Sequence, residues 1–126
     1  MAEIIPYLFV RDVGQALDFY TRAFGFTEEM RTGTPSGGMH AQMQLDGKTV
    51  MMGHGGESHG FGVPSGSPST MGVFVWIDDV DAHHARAVEA GAMIDHPPRD
   101  ESYGRTYTAR DLDGHPWFFT AAKRGV

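Results

Sequence analysis

The sequence predicts an α+β fold built from two βαβββ repeats, and three observations carry that reading. Leu45-Asp46-Gly47 recurs as Leu112-Asp113-Gly114, 67 residues further on. At the same spacing Asp12-Val13 matches Asp79-Val80, Val10 matches Ile77, and Ala23 matches Ala90; Gly25-Phe26 matches Gly91-Ala92 after a one-residue slip. In each half a short apolar run precedes a capped helical pattern, which is followed by turn-punctuated runs. Self-similarity at one spacing is the mark of a duplicated unit. The repeats span about 1–53 and 71–126, with a linker over 54–70. A unit of roughly 60 residues is marginal alone, so the halves are expected to form a single domain over 1–126.

The elements follow in order. Ile4 to Val10 reads as a strand, with Pro6 marking an edge or an irregularity. Asp12 is placed as an N-cap with Gln15 three residues on. Val13, Leu17, Tyr20 and Phe24 then recur at helical spacing, and Gly25 ends the helix. Three strands are expected near Phe26–Thr32, Met39–Leu45 and Lys48–Gly53, the last two joined by an Asp46-Gly47 hairpin turn. The second half repeats the order. A strand is expected over Gly72–Ile77 and a helix over Val80–Ala90, then strands near Ala92–His96, Thr106–Asp111 and His115–Ala121. Residues 53–70 hold six Gly, two Pro and four Ser, the composition of a plain linker or of a loop that closes over a site.

Composition removes several function classes. Lys plus Arg number 10 against 16 Asp plus Glu, a net charge of −6, which argues against nucleic acid and anionic membranes as partners. There is no Cys, hence no disulfide, thiolate metal site or Cys nucleophile. No apolar run approaches the roughly 18 residues a membrane span needs. Glu3, Arg11, Asp12 and Asp18 interrupt any signal-peptide core. A cytoplasmic protein is expected. No nucleophile elbow, phosphate loop or dinucleotide glycine motif is present.

With the repeats in place, the chain resembles the vicinal oxygen chelate superfamily, the group of glyoxalase I, bleomycin-resistance proteins and extradiol dioxygenases. The carrying stretches are Val10-Arg11-Asp12-Val13, Phe19-Tyr20, Phe24-Gly25-Phe26 and Asp111-Leu112-Asp113-Gly114-His115-Pro116-Trp117. The resemblance implies a curved mixed sheet with helices on the convex face, a cavity on the concave face, and a homodimer. It also implies where a metal would sit, because metal-using members place one ligand in the first and one in the last strand of each half. Those positions fall on Ile5, Met51, Gly72 and Phe118. Three of these offer no donor atom, and a Met thioether is a soft ligand unsuited to Zn²⁺, Mg²⁺ or Fe²⁺. No metal and no cofactor are therefore expected. A shifted metal site using His40, His54 or Glu57 stays open as an alternative. His59 shares the glycine-rich loop, and His96 and His115 lie apart. His83 and His84 are adjacent on a helix and cannot both face one metal. By their match to Ala16-Leu17, His84 is the one placed against the sheet.

Strand alternation sorts side chains by face. Leu8, Val10, Ala41, Met43, Val50, Met52, Val73, Val75, Trp117 and Phe119 are assigned to the helix side. The concave face then receives Tyr7, Phe9, His40, Gln42, Met51, Phe74, Trp76 and Phe118, with Thr49 and Thr120. Tyr107 joins them as the repeat partner of His40, and Arg105 is a further candidate unless it and Arg110 make surface or turn contacts. An apolar lining with a few polar groups suits a small molecule, and aromatic faces suit a planar one. The same residues could instead fill a core or a dimer interface. The leading expectation is a metal-free, bleomycin-resistance-like protein that binds an aromatic or planar ligand. A glyoxalase-like lyase or isomerase, with a displaced metal or His40 in acid–base work, is the first alternative. A dimeric interaction module without ligand is the second.

Overall fold

The computed structural model describes residues 1–35, 38–56, 60–66 and 68–123. The order is β1 (Tyr7–Val10), α1 (Val13–Phe19) continuing into a π-helical turn (Tyr20–Phe24), β2 (Thr27–Gly33), β3 (Met39–Leu45) and β4 (Lys48–His54). Then come β5 (Val73–Trp76), α2 (Val80–Glu89), β6 (Met93–Glu101), β7 (Gly104–Arg110) and β8 (Pro116–Ala122). The two βαβββ repeats are thus present, as two four-stranded mixed sheets ordered β1-β4-β3-β2 and β5-β8-β7-β6. The chain divides into two compact units. One comprises Met1–Thr21 and Gly25–Val63, the other Arg22–Phe24 and Pro64–Val126. No helix among the described residues is long and apolar enough to cross a membrane.

In the first unit Asp12 caps α1, its carboxylate accepting from the Gln15 amide at 2.9 Å. Gly25 closes the helical run with φ 82, a left-handed conformation that costs glycine nothing. α1 packs on β3 and β4; Val10, Ala41, Met43 and Met52 are buried as the alternation requires, and Leu17 and Phe19 of α1 are buried too. Asp46 and Gly47 have φ 49 and 80, the pair of positive angles that a two-residue hairpin demands. β1 pairs parallel with β4, Tyr7 opposite Met51. Here β1 is shorter than the apolar run suggests. Pro6 has no N–H to give the ladder, although its carbonyl accepts from Met51 at 3.0 Å.

The second unit follows the same plan. Asp79 caps α2 by accepting from Ala82 at 3.0 Å, and β5 pairs parallel with β8, Phe74 opposite Phe118. Its core is aromatic. Phe24 lies 4.8 Å from Phe119 and 5.4 Å from Trp117 between ring centroids. β6 is longer than expected and runs through Pro97-Pro98. It is an edge strand, so the missing amides cost it no second partner, and the ladder accommodates them with register shifts around His96.

The turn between β7 and β8 departs from the repeat. Asp113-Gly114 does not form a two-residue hairpin like Asp46-Gly47. The ladder ends at Arg110 opposite Pro116, leaving a five-residue turn, residues 111–115. The buried Asp111 carboxylate holds it. Asp111 accepts from the amides of Asp113 (3.1 Å) and His115 (2.9 Å) and from the Trp117 indole N–H (2.9 Å), and it also contacts the His115 ring. An odd turn in place of an even one shifts β7 by one residue against β8, and a one-residue shift exchanges the faces of a strand.

Candidate functional site

The helix-free face of the first sheet carries Tyr7, Phe9, His40, Gln42 and Met51. Tyr7 and Phe9 lie on β1, and Met51 stands between Tyr7 and Gln42 in the ladder. The Tyr7 ring crosses β4 at Gly53 and its hydroxyl reaches His40 Nδ1 at 3.0 Å. Gly53 makes this possible, since a Cβ there would collide with the Tyr7 hydroxyl. Phe9 lies 5.3 Å from Tyr7, and Phe61 stacks on Phe9 at 4.8 Å with an interplanar angle of 4°. Phe61 belongs to the glycine-rich segment and no periodicity pointed to it. Gly55 admits it, because a Cβ at Gly55 would meet the Phe61 carbonyl at 2.8 Å.

The helix-free face of the second sheet carries Phe74, Trp76 and Phe118, with Phe74 and Trp76 5.0 Å apart in an edge-to-face contact. Tyr107 is not on this face, which corrects the expectation. The shift of β7 sets Tyr107 opposite Phe119, fully buried against α2. Thr106 and Thr108 take the helix-free positions instead, opposite Thr120 and Phe118. Thr120 is on the expected face but buried, sharing a 2.8 Å hydrogen bond with Thr106. The Thr108 hydroxyl is buried and has no partner among the described residues.

Arg105 is likewise on the helix side. It binds Asp81 of α2 and Asp100 of β6. Arg110 binds Asp95, Ser69 and the Gly114 carbonyl. Both make the structural contacts that were the alternative. His83 rather than His84 is the more tightly held histidine. Its Nδ1 lies 2.5 Å from the Tyr107 hydroxyl and its Nε2 3.1 Å from the Phe24 carbonyl. Burial, above all, holds the His83 pKa below the ordinary range, with the nearby Arg86 charge acting the same way and the Phe24 bond opposing. Burial also raises Tyr107 above the usual phenol range. His84 meets the Tyr107 ring edge-on at 5.1 Å.

The four positions that would hold a superfamily metal do not fit a divalent cation. Ile5, Gly72 and Phe118 have no donor atom. A side chain at Gly72 would also meet the Phe118 ring at 2.5 Å, so the ring fills the place a ligand would need. Among the described residues no group of three or more His, Asp or Glu side chains is poised around a common point. His54 is exposed at the end of β4, and the Glu57 alternative lies outside the described residues.

The family model of the Glyoxalase/Bleomycin resistance protein/Dioxygenase superfamily matches residues 3–119. The chain belongs to this superfamily. Within it, Mb0911c of Mycobacterium bovis, an uncharacterized protein, is 35% identical over 120 residues, covering 89% of this chain and 78% of that one. The crystal structure of TioX from Micromonospora sp. ML1 superposes with a TM-score of 0.77 at 33% identity, over 98% of this chain and 100% of that one. TnmS3, an antibiotic binding protein from Streptomyces sp. CB03234, shares the superfamily fold at a TM-score of 0.78 and 22% identity, over 98% of each chain.

Proposed function

We propose that this superfamily member is a non-catalytic, metal-independent protein that binds a small planar or aromatic molecule, in the manner of the bleomycin-resistance branch. One observation carries the reading. Tyr7, Phe74, Trp76 and Phe118 remain 43%, 47%, 59% and 38% exposed, all on helix-free strand faces. Large aromatic surface left open in this way marks a binding surface, and ring faces stack on planar ligands. The donor-poor metal positions agree with metal independence. The fold likeness to an antibiotic binding protein agrees with a small-molecule ligand. A homodimer, implied by the superfamily, would bring a second copy of these faces to the protein.

Titration with planar aromatic compounds tests this through tryptophan fluorescence. Trp76 is exposed and Trp117 fully buried, so saturable quenching is expected that is lost in W76F. No saturable response from a broad panel of planar compounds would refute the reading. Elemental analysis of untagged protein, refed with Zn²⁺, Ni²⁺, Mn²⁺ or Fe²⁺, tests metal independence, and one tightly held metal per chain would overturn it. The Tyr7–His40 contact favours a second reading, a glyoxalase-like lyase or isomerase with His40 in proton transfer. Unchanged turnover of such a substrate by H40A would remove His40 from that role.

A further inference from the structure

On the first sheet, Phe9, Gly53 and His40 lie opposite one another across three strands, and Tyr7, Met51 and Gln42 form the next row. The Tyr7 side chain runs diagonally between these rows, over Gly53, to reach His40. A phenol O–H is a better donor than an imidazole N–H, and an imidazole nitrogen is a better acceptor than a phenol oxygen. Tyr7 therefore donates to His40 Nδ1, and a neutral His40 carries its proton on Nε2. His40 makes no other hydrogen bond among the described residues. Its Nε2–H is left as a donor, at the end of a continuous row of rings: His40 to Tyr7 at 5.6 Å, Tyr7 to Phe9 at 5.3 Å, Phe9 to Phe61 at 4.8 Å.

We infer that His40 is the specificity-determining donor of this face, set by Tyr7 through the notch at Gly53, and that it selects planar ligands bearing a carbonyl-type acceptor oxygen. The rings supply stacking that any planar molecule can use. The imidazole N–H is the feature that separates one planar molecule from another, because a ligand without an acceptor would bury that donor unpaired. Gly53 serves as a positioning residue, since any side chain there displaces Tyr7 from His40. The inference rests on the planar-ligand reading above, and its test separates the two.

The first measurement needs no ligand. Long-range ¹⁵N–¹H correlation spectra of the histidine rings, taken at alkaline pH, are expected to show His40 as the Nε2–H form, with Nδ1 shifting in Y7F and in G53A. A His40 that carries its proton on Nδ1 would overturn the proposal. The second compares 9-fluorenone with fluorene, planar probes that differ in one carbonyl, by equilibrium dialysis. The wild-type chain is expected to hold fluorenone on the order of tenfold tighter, the effect of one hydrogen bond. That ratio is expected to fall several-fold in G53A and Y7F and to within about twofold in H40L. Y7F keeps the test valid should G53A fail to fold. Equal affinity of the wild-type chain for both probes would overturn the role of His40 while leaving the aromatic platform standing. Binding of neither probe would overturn this inference, whereas the planar-ligand reading falls only if the broad panel gives no saturable response.

Discussion

Replacing Tyr107 by Phe removes one oxygen atom from the core of the second unit, and its consequence can be worked out from the geometry. His83 Nε2 lies 3.1 Å from the Phe24 carbonyl, which can only accept. Nε2 therefore carries the proton and Nδ1 is an acceptor. The Tyr107 hydroxyl, 2.5 Å away, donates to it. Tyr107 is fully buried, so Y107F leaves Nδ1 without its donor in a place where water has little access. Orphaning a buried polar group costs about 1–3 kcal/mol, more than the net worth of an average hydrogen bond. For a chain of this size each kcal/mol lowers Tm by roughly 3–6 °C. Urea unfolding is the assay, with the m-value expected to stay constant so that the midpoint alone reports the loss. The cycle of Y107F with H83L is expected to return a coupling of about 1 kcal/mol or more. A loss below about 0.5 kcal/mol at unchanged m, or a coupling near zero, would refute the hydrogen bond and with it the orientation of His83.

Three further predictions follow from neighbouring groups. Because burial depresses the His83 pKa, the unfolded chain binds that proton at a higher pH than the folded one. Stability should therefore rise with pH across the window below about 6.5 and be lost as pH falls through it, by at most about 1.4 kcal/mol per pH unit for a single proton. Urea midpoints measured as a function of pH should show a flatter profile in H83L. Asp111→Ala removes the acceptor of two amides and of the buried Trp117 indole, and is expected to cost about 3 kcal/mol or more in urea unfolding, with a changed near-ultraviolet signal from Trp117. Thr108→Val exchanges a buried hydroxyl that has no partner among the described residues for a methyl group and should leave stability unchanged or raise it by up to about 1 kcal/mol; a loss of that size would reveal a partner for the hydroxyl.

Local signals placed most of the fold. Asp12 and Asp79 are legible as caps because a carboxylate and an amide three residues on satisfy each other without help from the rest of the chain. Asp46-Gly47 is legible as a turn because few residue pairs tolerate two positive φ angles. Alternation correctly separated Leu8 and Val10 from Tyr7 and Phe9, and Phe74 and Trp76 from the core, since a strand has a period of two wherever it lies. It failed at Tyr107 and Arg105. Their assignment assumed that the second hairpin copies the first, and the parity of the turn decides which residues share a face.

Sequence alone determined the duplicated βαβββ plan, the helix caps, the first hairpin and the absence of donor side chains at Ile5, Gly72 and Phe118, because each is set by residue identity or by short-range spacing. Tertiary structure decided the rest. The carboxylate of Asp111 gathers four contacts within six residues and so lengthens a turn by an odd count, exchanging Tyr107 for Thr106 and Thr108 on the helix-free face. The glycine at 53 lets a phenol cross a strand to a histidine 33 residues away in sequence. Such partnerships depend on which strands become neighbours and on where a missing Cβ leaves room, and no local pattern in the chain encodes either.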